Sequence, residues 1–105
     1  MSQLDDLRLR LRTFAAERDW GQFHSPKNLA MALASEAGEL LAEFRWLTEQ
    51  QSELAQLEPS KLDAISMEIA DVAIFLVRLA DVLDIDVLAA AARKVELNES
   101  RFPAA

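Results

Sequence analysis

The sequence predicts an all-α protein, and three observations carry that prediction. Ala and Leu dominate a chain that is 51% hydrophobic and has only two Gly and three Pro in 105 residues, a composition that favours helices over strands and turns. Apolar residues recur at three- and four-residue steps through several long windows. Between those windows stand helix-start and helix-stop residues: Ser25-Pro26, Pro59-Ser60 and Asp84-Ile85-Asp86. Residues 1–105 therefore read as a single domain, an antiparallel four-helix bundle protomer.

The first helix is expected from a Ser2 N-cap to about Arg18, with Leu4, Leu7, Leu11 and Phe14 on its apolar face and Arg8, Arg12 and Glu17 on the other. Periodicity fails across Asp19 to Pro26. That loop holds Trp20, Phe23 and His24, the single histidine of the chain. Loops held by rigid helices often carry binding residues, although two aromatics could equally plug one end of a core. Ser25 as N-cap and Pro26 at the first helical position open a second helix, expected over 27–47. Gly38 within it costs about 1 kcal/mol relative to Ala, which suggests close approach by another backbone or a ligand.

The polar stretch 48–60 reads as a connection with a short helical turn near Glu53 to Leu57. The third helix, expected over 61–83, places Ile65, Ile69, Val72, Leu76, Leu79 and Leu83 on one apolar face and Ile74 and Val77 toward the other. A helix apolar nearly all round must be covered on more than one side. In so short a chain this predicts a partner subunit and hence an oligomer. Asp86 caps a fourth helix, expected over 87–100, on which Lys94, Asn98 and Arg101 share a face.

A formal charge of −7, from 18 acidic and 11 basic residues, argues against a nucleic-acid or anionic membrane surface. Without cysteine there are neither disulfides nor thiolate metal sites. The apolar run around Val72 to Val77 is far shorter than the roughly 20 residues of a membrane span, and Met1 to Leu11 does not read as a secretory signal. A soluble, cytoplasmic protein is expected.

The chemistry points to two acidic pairs, Glu36-x-x-Glu39 and Glu68-x-x-Asp71. Each pair projects from one helical face. On the second helix Glu36, Glu39 and Glu43 fall within about 60° of one another, with Trp46 bordering the strip. Carboxylates at about 4 Å repel by roughly 4 kcal/mol at an effective dielectric near 20, so convergence demands protons or cations. The chain between Glu39 and Glu68 is long enough to leave one helix and return antiparallel on the next, bringing the pairs face to face. Oxygen donors of this kind suit Mg2+, with Mn2+ as a substitute. Di-iron or dimanganese bundles use Glu-x-x-His motifs on two helices, and here the one histidine lies in a loop.

In these motifs the chain resembles the all-α nucleoside triphosphate pyrophosphohydrolases, the MazG-like superfamily. The run from Phe14 to Trp20, Gln22-Phe23-His24, Pro26, Asn28-Leu29, Trp46, and Lys94 with Asn98, Arg101 and Phe102-Pro103 resemble its dCTP pyrophosphatase branch. The resemblance implies Mg2+ held by Glu36, Glu39, Glu68 and Asp71, with Glu36 or Glu39 as general base for attack of water on the α phosphorus of a nucleoside triphosphate. It implies that Trp20 and Trp46 enclose the base, with His24 and Asn28 as further pocket residues. Lys94, Asn98 and Arg101 would engage phosphate or metal. It also implies a homo-oligomer, a dimer or a dimer-of-dimers tetramer. Leu11 and Phe102 stand where relatives carry a polar aromatic and a tyrosine, which leaves the base open: dCTP or 5-modified dCTP first, dUTP or another non-standard nucleotide next. A non-catalytic, cation-binding helical oligomer is the alternative outside enzymology.

Overall fold

The structure, a computed structural model of the chain, describes residues 2–105. Four α-helices form: α1 (Gln3–Glu17), α2 (Pro26–Ala42), α3 (Pro59–Val82) and α4 (Val87–Arg101). Single 3-10 turns lie at Gly21–Phe23, Gln50–Ser52 and Leu54–Gln56, and no strand occurs among the described residues. The all-α, four-helix expectation is met.

Local chemistry explains the helix ends. The side chains of Ser2, Ser25 and Asp86 accept from the backbone N–H of Asp5, Asn28 and Ala89 at 3.1, 3.2 and 3.0 Å, satisfying donors that the first helical turn leaves free. Pro26 and Pro59 stand at the first turns of α2 and α3. Helices α1 and α3 stop in the same way. Asp19 and Asp84 take left-handed backbone angles (φ 55° and 56°). The next residues, Trp20 and Ile85, donate backwards to the carbonyls of Ala15 and Ala80 at 2.9 and 2.8 Å, the Schellman pattern.

Helix α2 ends five residues before the expected boundary. Beyond Ala42 the backbone tightens into turns closed by Phe44 N–H to Leu41 O and Leu47 N–H to Phe44 O, both 2.9 Å. Aromatic Phe44 and Trp46 add little helix propensity there. Glu43 caps the helix, and Trp46 leaves the helical face on which it was expected.

Helices α2 and α3 form the packed centre. Glu43 pairs with Lys61 at 3.0 Å, while Glu36, two turns back, meets Glu68 and Asp71 farther along α3. One index rises as the other falls, so the helices run antiparallel. Helix α1 lies on α3. Ala15, Leu29, Ile65, Val77 and Ala80 are buried. Helix α3 buries residues from both of its apolar sides, Ile65 from the broad face and Val77 from the opposite one, whereas Ile69, Leu76 and Leu83 of the broad face are 53, 42 and 47% exposed. Helix α4 stands away from the centre, exposed from Leu88 to Arg101. The radius of gyration of 16.7 Å exceeds the roughly 13 Å of a compact chain this long. No helix is long and apolar enough to cross a membrane among the described residues.

Candidate active site

The acidic motifs meet across the α2–α3 seam. Glu36 from α2 and Glu68 and Asp71 from α3 each place a carboxylate oxygen within 4.8 Å of the others. Glu39 lies one turn on, on an exposed part of α2 and outside this tight group, and Glu43 is neutralised in part by Lys61. The Glu68 Oε2 atom is buried with no hydrogen-bond partner among the described residues. Burial pushes the Glu68 carboxyl above its ordinary range, and the charges of Asp71, Glu39, Glu36 and Glu43 push it further. An orphaned buried oxygen amid like charges is costly unless a proton or cation joins it. The donor set is all oxygen, which suits a hard divalent ion.

A second feature grows from the α1–α2 loop. The Schellman turn brings Trp20 back onto α1, where its ring meets Phe14 edge-on at 5.5 Å between centroids. The following 3-10 turn, closed by His24 N–H to Gly21 O at 3.1 Å, sets the His24 ring 6.4 Å from Trp20. Leu11, Phe14, Trp20, His24, Phe75 and Arg78 line a pocket of about 220 Å³. Its α3 wall begins at Ile74, one turn beyond Asp71, so pocket and acids are neighbours along one helix. Phe23, in contrast, is 61% exposed and plugs nothing.

Arg78 and Asp81, which the sequence reading passed over, organise the pocket floor. Arg78 donates from Nε to His24 Nδ1 and from Nη1 to Asp81 Oδ2, both at 3.2 Å. Arg12 grips Asp81 with two hydrogen bonds, 2.7 and 3.1 Å, and Arg8 adds one at 3.2 Å. Arg8 and Arg12 thus turn toward α3 rather than filling a solvent face. The Asp81 side chain is only 5% exposed. Its carboxyl is held below the ordinary range chiefly by Arg12, with Arg8 adding to it against the opposing effect of burial. Sequence spacing shows only that Asp81 and Arg78 share a face of the most apolar helix and that Arg8 and Arg12 share one on α1, not that the two faces meet. Burial, and then the Arg78 charge, depress the His24 pKa, and Nδ1 accepts from Arg78 Nε, an arrangement that suits the neutral imidazole.

The remaining candidates do not join these features within one chain. Trp46 is 84% exposed, with the Arg45 guanidinium 5.4 Å from its ring. The Asn28 amide donates to Phe23 O at 3.1 Å, which braces the loop. Lys94 and Asn98 lie on exposed α4, and the Arg101 guanidinium sits 5.2 Å from the Phe102 ring. None forms an ion pair with the acids among the described residues. Gly38 admits no close neighbour either: a Cβ there would meet nothing within 4 Å, so the close approach expected of it is absent within the chain.

The fold has a solved counterpart. A crystal structure of a pyrophosphatase from Archaeoglobus fulgidus superposes with a TM-score of 0.90 at 38% identity, over 99% of this chain and 95% of that one. The chain belongs to the all-α, MazG-like pyrophosphohydrolase family. No protein-family model matches the chain. Within the family it is 42% identical over 101 residues to human dCTP pyrophosphatase 1 and 40% identical over 100 residues to that of Mus musculus, covering 96 and 95% of this chain. It spans about three-fifths of the length of these curated relatives, 59% in each case. Of the acids in the two motifs, Glu36, Glu68 and Asp71 are the ones that meet across the α2–α3 seam.

Proposed function

We propose that the protein hydrolyses a deoxynucleoside triphosphate, dCTP or a 5-modified dCTP first, to the monophosphate and pyrophosphate, as a pool-cleansing enzyme of the cytoplasm. The observation that carries this reading is the meeting of Glu36, Glu68 and Asp71 around a carboxylate oxygen that has no partner. Likeness to proteins named dCTP pyrophosphatase 1 supports the choice of nucleotide.

Glu36, Glu68 and Asp71, with Glu39 one turn on, would hold Mg2+, Mn2+ serving as a substitute. Bound there, Mg2+ supplies neutralisation of the triphosphate and a more acidic water. The chain's own residues do the rest. Glu36 or Glu39 accepts the proton of the water that attacks the α phosphorus. The pocket beside Asp71 receives the base, with Trp20 as its flat wall. The neutral His24 donates or accepts without adding charge. Trp46, Asn28, Lys94, Asn98 and Arg101 are proposed to complete the site on the base and phosphate sides. Because α4 stands off from its own acids, these last groups reach a nucleotide in a homo-oligomer, a dimer or a dimer of dimers.

The test is incubation with Mg2+ and a panel of normal and modified deoxynucleoside triphosphates, measuring pyrophosphate against orthophosphate. Pyrophosphate and monophosphate in equal amounts, with dCTP or a 5-modified dCTP preferred, is the expected result. Orthophosphate alone from every nucleotide would exclude attack at the α phosphorus. Preference for dUTP would keep the chemistry and change the base.

A further inference from the structure

Arg78 sits in an otherwise apolar and aromatic pocket, with a side chain only 12% exposed. Two of its five N–H donors are committed: Nε to His24 Nδ1 and Nη1 to Asp81 Oδ2. Nη2 has no partner among the described residues. Asp81 is itself fixed by Arg8 and Arg12, so the guanidinium plane is set before any ligand arrives. A planar, permanently charged group carrying only donors recognises an edge that carries only acceptors.

We propose that Arg78 reads the base, its fixed guanidinium meeting the adjacent O2 and N3 acceptors of a cytosine ring in the Trp20 pocket, with Asp81 and His24 as its positioning residues. Uracil and thymine carry a hydrogen on N3, so in the same place a donor would face a donor. A site built to hydrogen-bond one edge rejects an analogue that leaves its buried donors unpaired. The same hydrogen bond makes His24 Nδ1 an acceptor, which fixes the neutral ring with its proton on Nε2. This assignment rests on the nucleotide reading above for its ligand and on the pocket geometry for its residues.

Titration of Trp fluorescence with dCMP and dUMP, without metal, tests the pocket apart from turnover. In the wild type dCMP should bind more tightly. Arg78→Met should weaken dCMP about tenfold, leave dUMP within about threefold, and raise KM for dCTP with little change in kcat. Arg78→Lys keeps a charge beside Asp81 without the planar fork, so it should retain stability yet not discrimination. Since the chain has one histidine, 15N spectra of its imidazole read the pairing directly: Nε2–H in the wild type, a mixture of tautomers in Arg78→Met. Equal dCMP and dUMP binding by the wild type, unchanged discrimination in either variant, or a wild-type proton on Nδ1 would overturn the assignment. A wild type that discriminates dCMP from dUMP yet turns over no triphosphate would sink the catalytic reading and leave this one standing.

Discussion

Glu68 concentrates the electrostatic problem of the site in one side chain. Its Oε2 lacks a donor, and burial together with Asp71, Glu39, Glu36 and Glu43 raises its pKa. A raised carboxyl pKa means that the metal-free fold tolerates the ionised form less well than the unfolded chain does. Its contribution is therefore most favourable below the ordinary carboxylate range and is lost as pH rises through the raised value. Glu68→Gln supplies a neutral amide whose N–H groups suit the neighbouring carboxylates. In EDTA at neutral pH this variant should melt higher than the wild type, with the difference shrinking toward pH 4. Mg2+ should raise the wild-type Tm, because it binds the folded state alone, and should leave Glu68→Gln unmoved. Turnover should fall on the order of 10²-fold or more with the fold intact. Thermal melts with and without Mg2+ from pH 4 to 8 check each part. A variant that melts lower than the wild type in EDTA would mean that the carboxylate stabilises the metal-free fold.

At the level of elements, α1 is tied to α3 by a polar network beside the apolar contacts of Leu11 and Phe14. Arg8 and Arg12, one turn apart on α1, both end on Asp81, and Ala15 is the one α1 residue fully buried. Removing a buried partner of a charge network typically costs 3–5 kcal/mol. Arg12 is 52% exposed and can turn to water, so Asp81→Asn should cost nearer the low end, about 3 kcal/mol, a drop of order 12–24 °C in Tm. Since the Asp81 pKa is depressed, its stabilisation is present above the ordinary carboxylate range and lost as pH falls through the lowered value. Wild type and Asp81→Asn should thus converge in acid, which paired melts at pH 3 and 7 would reveal. The same network marks where the sequence was legible and where it was not. Helix starts at Ser25-Pro26 and Asp86 could be read because capping chemistry is local. The acidic seam could be read because a three-residue spacing on each of two helices survives folding. Arg8, Arg12, Arg78 and Asp81 could not, because which polar faces of α1 and α3 meet depends on their rotation about each other, and periodicity alone does not set that angle. Trp46 was misplaced for a simpler reason: helical extrapolation ran past Ala42, where the backbone had already tightened into turns.

At the scale of the whole molecule, much apolar surface is left uncovered by the chain itself. On α4, Leu88, Val95 and Leu97 are 60, 55 and 55% exposed, and Ile69 and Leu76 on α3 continue the apolar exposure. Such surfaces mark subunit contacts, and a two-fold pairing would make each α4 contact the same patch of its partner. Lys94 and Asn98 would then serve a partner's acids, so that every site draws on two chains. This can be tested by mixing. Glu68→Gln and Lys94→Ala, each inactive alone, are unfolded together, refolded and assayed. In a random mixture half of the dimers are hybrid, and each hybrid carries one site with both defects and one with neither, so activity should return to about a quarter of wild type. If Lys94 instead served its own chain's Glu68, each hybrid site would keep one defect and the mixture would stay inactive. Leu88→Glu, placed on the exposed apolar face of α4, should shift the assembly to monomers by light scattering and abolish activity in the otherwise wild-type chain. A monomeric Leu88→Glu protein with full turnover would show that one chain suffices.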